Sequence, residues 1–316
     1  MKRRQLGHSG LKVSPIALGG NVFGWTIDEA TSSAILDAFI AAGFNFIDTA
    51  DTYSRWVPGN RGGESETIIG KWLKRGGERQ KIVIATKVGS EMSPKKRGLS
   101  KQYILRAAEA SLRRLRTDYI DLYQSHFDDP DVPIEEPLEA YAQLIKQGKV
   151  RAIGASNFKA DRLLQALQAS KQYGYPAYQC LQPLYNLYDR ADFETNLKPV
   201  CAKYGLGVIT YFSLASGFLT GKYRAASDLS KSKRGGIVSK YLNDRGFQIL
   251  SALDQVAEQL NSTPARISLA WLMARPGITA PISSVTSIDQ LNDIIAAVNL
   301  KLDHHSIELL NRASSY

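Results

Sequence analysis

The chain has 316 residues, 44% of them hydrophobic, with only two cysteines and a net charge of +10 from 40 basic and 30 acidic residues. That composition allows a large core, while Cys180 and Cys201 alone make neither a disulfide framework nor a metal site. No stretch approaches the ~18 apolar residues of a membrane span, and the basic start MKRRQLGHSGLKV lacks the apolar run of a secretory signal, so a cytoplasmic protein with reduced thiols is expected.

In chain order, Arg4–Leu6 and Lys12–Ser14 flank a glycine-containing turn and read as a hairpin able to plug the bottom of the main fold. Apolar, β-rich runs then alternate with amphipathic ones. The strand candidates begin at Ile16 (IALGG) and continue with Phe44–Asp48, Ile82–Lys87, Tyr119–His126 and Val150–Asn157. Three more come at Tyr178–Gln182, Gly207–Tyr211 and Ile278–Ser284. Helical patterns lie between them at Asp28–Ala42, Ser100–Arg116 and Lys159–Tyr173. In the second of these, Ile104, Ala108, Leu112 and Leu115 share one face. Gly43, Gly148, Gly174 and Gly205 stand where helices stop. Extra helices are expected at Pro264–Arg275 and His304–Ser314.

Repeated β–α units imply parallel strands with helices outside. Eight of them, without Gly-x-Gly-x-x-Gly after the first strand, favour a closed barrel over a dinucleotide-binding open sheet. The fold class expected is α/β: one (β/α)₈ TIM barrel over residues 1–316, with an N-terminal β-hairpin and extra C-terminal helices.

Much of the positive charge, as at Arg113, Arg114 and Arg116, reads as solvated helix surface. The densest stretch, Lys231, Lys233 and Arg234 beside Gly235 and Gly236, reads as a loop able to fold over a phosphate-bearing cofactor. No aromatic-interleaved basic motif accompanies it, so nucleic acid is not an expected partner, nor is a membrane.

Polar residues fall where the apolar strands end. The second strand closes on Asp48 with Tyr53 just beyond, the third on Lys87 and the fourth on His126. The fifth closes on Ser156 and Asn157, the sixth on Gln182 and the seventh on Tyr211. In such a barrel all these ends open on one face, so residues distant in sequence converge. Singly, each has a plainer reading: a turn for Asp48, a snorkelling lysine, a packing tyrosine, an N-cap at Ser156-Asn157.

Together they suit proton donation to a carbonyl oxygen. A tyrosine with pKa ~10 is a poor acid near neutrality, but an ammonium 4 Å away interacts by about 4 kcal/mol at an effective dielectric of 20. A two-unit shift needs only ~2.7 kcal/mol, so Lys87 is expected to lower the pKa of Tyr53, with Asp48 holding Lys87 and His126 orienting the substrate oxygen. None of these groups is a hydride source, so a cofactor is required.

At these residues the sequence resembles the aldo-keto reductase superfamily. FIDTADTY, IVIATKVG, SLRRLRTDYIDLYQSH, GKVRAIGASNF, QPLYNLYDR and YFSLASGFLTGKY run in the family's order across nearly the whole chain. The resemblance implies NAD(P)H-linked reduction of aldehydes or ketones and a catalytic set of Asp48, Tyr53, Lys87 and His126. It assigns Ser156, Asn157 and Gln182 to the nicotinamide carboxamide and Tyr211 to stacking on the ring. Gly20, Asn21 and Asp48 join the cofactor set. Ser213, Leu214, Ala215, Gly217, Leu219, Gly221 and Lys222 are assigned to the pyrophosphate loop. After the eighth strand, Ser284, Thr286, Gln290 and Asp293 stand where the family holds the adenosine end, without its usual cation and with Ile294 replacing an asparagine. NADPH is the expected cofactor, with NADH possible.

A small carbonyl compound is the expected partner, held by Trp25, Tyr53, Trp56, His126 and Phe127, with Tyr223 nearby. The loop Arg55–Ser65 is expected to line the entrance; contact of Arg55 or Arg61 with an anionic substrate is one reading, and solvated arginine the plainer one. No feature of the sequence selects an oligomeric state. Two other readings compete. The family includes potassium-channel β subunits, so the chain could sense cofactor with little turnover. Alternatively Lys87 could be a Schiff-base nucleophile, which the partner carboxylate Asp48 opposes.

Overall fold

The computed structural model describes residues 1–316. Ten strands form. β1 (Arg4–Gln5) and β2 (Lys12–Val13) make the antiparallel hairpin. The others are β3 (Ala17–Gly19), β4 (Phe46–Asp48), β5 (Val83–Val88), β6 (Ile120–Ser125), β7 (Val150–Ser156), β8 (Cys180–Gln182), β9 (Gly207–Thr210) and β10 (Ile278–Ser283). These eight pair in parallel in sequence order, and β10 closes on β3, giving the eight-stranded barrel.

The helices are α1 (Glu29–Ala41), α2 (Glu64–Lys74), α3 (Lys101–Leu115), α4 (Glu135–Lys146), α5 (Ala160–Tyr173) and α6 (Lys198–Tyr204). They continue with α7 (Gly235–Val238), α8 (Asp244–Gln259), α9 (Pro264–Ala274), α10 (Ile288–Ala296) and α11 (His304–Ala313). Side-chain caps start several of them: Asp28 accepts from the Thr31 amide, Thr263 from Arg266, Ser287 from Gln290 and Asp303 from Ser306. Helices form at both predicted C-terminal segments, and the second is additional as expected, but the first is not. α9 packs on β10 and serves as the helix of the seventh unit, while the additional pair is α8 and α11, which pack on each other. No helix is long and apolar enough to cross a membrane.

Strand parity divides the interior. Successive side chains alternate faces, and the strands are buried on both. Ala17, Phe46, Ala85, Leu122, Ala152, Cys180, Ile209 and Ala280 point inward and form one apolar cluster with Leu6, Leu11 and Val13 of the hairpin segment. The hairpin therefore plugs one end of the barrel. Outward residues such as Ile47, Ile84, Tyr123, Ile153 and Leu181 join the larger core beneath the helices. Gly7 makes the plug fit: its φ is +53°, and a Cβ there would lie 2.1 Å from the Gln179 carbonyl oxygen. Arg4 ties the plug to the wall by donating to the carbonyls of Met273, Ile278 and Thr279.

Candidate active site

The same alternation builds the site. Two residues beyond the apolar inward positions Phe46, Ala85, Cys180 and Ile209 come Asp48, Lys87, Gln182 and Tyr211, on the same face. Gln124 follows Leu122, and His126 follows Gln124. At the open end of the barrel the inward lining of these five strands thus changes from apolar to polar within one residue pair. Asn157 breaks the parity, and its φ of +56° turns the side chain back. There its Nδ2 donates to the His126 carbonyl at 2.9 Å, and its Oδ1 accepts from the Tyr211 hydroxyl at 2.7 Å. Asparagine tolerates this left-handed backbone better than most residues.

At the centre, the fully buried Lys87 Nζ donates to Asp48 Oδ2 at 2.7 Å, to the Thr49 carbonyl at 2.8 Å and to Tyr53 Oη at 2.8 Å. The Tyr53 hydroxyl donates to Asp48 Oδ2 at 3.3 Å. The other carboxylate oxygen of Asp48 accepts from Gln182 Nε2 at 2.9 Å and Gln124 Nε2 at 3.5 Å. Asp48 therefore uses both oxygens, one toward Lys87 and one toward the amides. Gln124 escaped the sequence reading. Its signal was parity, two residues before His126 on one strand. The His126 ring lies 6.1 Å from that of Tyr53, and its Nδ1 is buried without a partner.

The expectation that Lys87 brings the Tyr53 phenol below its ordinary value is overturned in its net direction, although Lys87 Nζ does sit 2.8 Å from the hydroxyl. Burial pushes the phenol well above its ordinary value, and the Asp48 carboxylate adds to the rise. The resting phenol is firmly protonated. Burial also pulls Lys87 down, opposed by Asp48. His126 is lowered to about 3 by burial and then by the charge on Lys87, so its imidazole is neutral near pH 7. Behind the site Asp51 is raised by burial and by Glu66, which is itself held by Arg114 Nε and Thr86 Oγ1, each at 2.6 Å.

Above these groups opens a cavity of about 1100 Å³. Asn21, Asp48, Tyr53, His126, Ser156, Asn157, Gln182, Tyr211, Ser213, Leu214, Gly217, Lys222, Ser284, Thr286, Gln290 and Asp293 line it, as do Trp56 and Phe127. Four of the expected cofactor residues do not. Gly20 lies beneath the site, where a Cβ would meet Ser65 Oγ at 2.8 Å and the Asp48 carbonyl at 3.3 Å. Ala215 and Leu219 are buried in the core because the kinked turns of residues 215–220 direct them inward. Gly221 ends that segment with φ +80°.

Two aromatic expectations also change. Trp25 stands behind the wall, edge-on to Trp56 at 5.4 Å between ring centres. Tyr223 is fully buried and hydrogen-bonded to Ser232 at 2.6 Å, fastening the basic loop. That loop is folded against the barrel: Lys233 and Arg234 line the cavity, and Arg234 donates to Asn21 Oδ1 at 3.3 Å. Asn21 Oδ1 also accepts from Ser284 Oγ at 2.7 Å. Ser216 and Thr220 line the cavity too and were not anticipated.

The lining suits a dinucleotide. Ser216 Oγ and Thr26 Oγ1 are buried there without partners, and the amides of Ser213 and Leu214 make no hydrogen bond within the protein. Ala215, Ser216 and Gly217 adopt successive positive φ values of 47°, 58° and 98°, a tight turn in which the Ala215 and Gly217 amides donate to the Phe212 and Leu214 carbonyls. Beyond β10, Gln290 Oε1 accepts from the Thr286 amide at 2.9 Å, and Asp293 is paired with Arg266 at 2.7 Å.

Residues 15–315 match the Aldo/keto reductase family. The chain belongs to that family. Its relatives include the "Uncharacterized oxidoreductase YrpG" of Bacillus subtilis, 36% identical over 98% of this chain and 95% of that one. A "Putative voltage-gated potassium channel subunit beta" of Schizosaccharomyces pombe is 34% identical over 98% and 91%. "Protein tas" of Escherichia coli is 30% identical over 100% and 99%. Membership in the aldo/keto reductase family carries that family's general chemistry, that of a reductase.

Proposed function

We propose that residues 1–316 act as a single cytoplasmic NADPH-dependent carbonyl reductase in which Tyr53 donates the proton. The observation that carries this is the buried chain from Asp48 through Lys87 to the Tyr53 hydroxyl, with links of 2.7 and 2.8 Å, at the floor of a dinucleotide-sized cavity. A bound reduced nicotinamide supplies the hydride. Ser156, Asn157 and Gln182 would hold its carboxamide, Tyr211 would contact the ring, and the loop from Ser213 to Lys222 would hold the pyrophosphate. Lys222, Lys233 and Arg234 on the cavity wall favour the extra phosphate of NADPH, although no lysine or arginine directly succeeds β10.

The remaining chemistry belongs to the chain. His126, neutral, hydrogen-bonds the substrate oxygen and fixes its direction. Tyr53, kept protonated by burial, turns its hydroxyl from Asp48 to that oxygen and gives up its proton as negative charge develops there. Lys87, anchored by Asp48, stabilises the phenolate as it forms. The interaction strengthens toward the transition state, the condition for catalysis rather than mere binding. Gln124 and Gln182 hold the second oxygen of Asp48, so the carboxylate does not swing away.

A second reading, a regulatory subunit that binds the cofactor with little turnover, is favoured by the relatives named as potassium-channel β subunits. Mixing the protein with a reactive aldehyde and either NADPH or NADH separates the two. The reductase reading predicts rapid loss of cofactor absorbance, faster with NADPH. Tight binding without turnover contradicts it and supports the regulatory subunit.

A further inference from the structure

A second cavity, of about 530 Å³, meets the first at Tyr53, Trp56, His126 and Phe127. Two of its remaining lining residues, Arg55 and Glu91, are absent from the wall of the larger cavity. The lining is graded. Tyr53 and His126 are half-buried, Trp56 and Phe127 are large exposed aromatics, and Arg55 and Glu91 stand exposed beyond them. A molecule with its carbonyl at Tyr53 and His126 would lay its body on two aromatic walls and bring its far end to charged groups.

The sign of that end comes from the pairing. Arg55 and Arg97 share one carboxylate, Glu91, at 3.5 and 3.8 Å. Both distances are long for charge-assisted bonds, which fall near 2.7–2.9 Å. One positive charge is left over, and Lys95 and Lys96 precede Arg97 in the same exposed loop. Other arginines are tied down: Arg224 holds Asp254 with two bonds of 2.7 Å, and Arg162 holds Asp128 at 2.7 and 3.0 Å. The Arg55 side chain makes no hydrogen bond, so its planar fork is open to an incoming carboxylate.

We propose that the second cavity takes a carbonyl compound with an aromatic or apolar body and a carboxylate at the end remote from the carbonyl, Arg55 selecting that carboxylate. The inference rests on the reductase reading. Glu91 acts as the resident anion that the substrate displaces from Arg55.

The test compares 4-carboxybenzaldehyde with 4-formylbenzamide, which share the ring and the aldehyde but differ in charge; the carboxamide is the more electron-withdrawing, so intrinsic reactivity favours the amide and works against the expected result. With NADPH, kcat/KM for the acid is expected to exceed that for the amide by about tenfold, mainly through KM, the size of one charge-assisted hydrogen bond at an exposed site. The ratio is expected to fall to about one in Arg55→Met and to rise about threefold in Glu91→Gln. A ratio near one in the unaltered protein, or one that survives Arg55→Met, overturns the proposal. If neither aldehyde is reduced, the reductase reading fails instead, and calorimetric titration with the two corresponding benzyl alcohols decides this one. Tighter binding of the acid, lost in Arg55→Met, supports it; equal binding overturns it.

Discussion

At the scale of the residue, burial sets the working state of each group. Tyr53 is protonated because its ionised form is poorly solvated and faces Asp48. The sequence places a lysine near a tyrosine but says nothing of how completely water is excluded, so it predicts the wrong direction for the resting phenol. Lys87, 2.8 Å from the hydroxyl, favours the ionised form, but burial and the Asp48 carboxylate outweigh it. His126 offers a check on this electrostatic picture. Its folded value of about 3 lies below the ordinary ~6.5. Between these values the unfolded chain binds a proton that the folded one does not, so stability falls as the pH drops from about 6.5 toward 3. One side of the ring opens on the cavity, so the full loss is on the order of 3 kcal/mol, less than complete burial would give. Denaturant titrations from pH 7 to pH 4 should show this slope, and His126→Gln should flatten it. An unchanged slope in the variant would place the titration elsewhere.

At the scale of the element, period-two alternation carries the most information. Once Phe46, Ala85 and Leu122 are inward, Asp48, Lys87, Gln124 and His126 must be as well. The strands and the convergence of their ends were therefore legible. Strand ends were less so: β8 is only Cys180–Gln182 and β4 only Phe46–Asp48, shorter than their apolar runs. α8 was missed as the additional helix because its amphipathic pattern resembles that of a barrel helix; only packing tells them apart. Packing also reveals a brace behind the site. Glu66 on α2, fully buried, is bonded to Arg114 on α3 and to Thr86 on β5, next to Lys87. Arg114→Met leaves a carboxylate buried without its partner, which costs about 3 kcal/mol. Chemical denaturation should register that loss, and Glu66→Gln added to Arg114→Met should restore part of it. Equal stability of all three proteins would show that the brace does not bear on the fold.

At the scale of the whole molecule, the barrel has a sealed end and an open one. The hairpin with Leu6, Leu11 and Val13 closes the first, a role readable from its position before the first barrel strand. At the open end, the strand ends supply a mostly polar floor, with Asp48 and Lys87 its charged pair, under two adjoining cavities. Most residues lining the larger cavity were legible from the family's motifs. Ala215, Leu219 and Gly221 were not distinguishable from their neighbours, because a motif marks a loop without saying which side chains of a tight turn face inward. Arg234 and Asn21 meet across 213 positions of sequence, a contact only the closed barrel creates. The central claim is that the Tyr53 hydroxyl supplies the proton. It is tested most directly by single-turnover reduction of a reactive aldehyde by Tyr53→Phe preloaded with NADPH. Hydride transfer is expected to slow by at least a thousandfold, with the Kd for NADPH within about threefold of the unaltered protein. Hydride transfer within tenfold of the unaltered rate would contradict it.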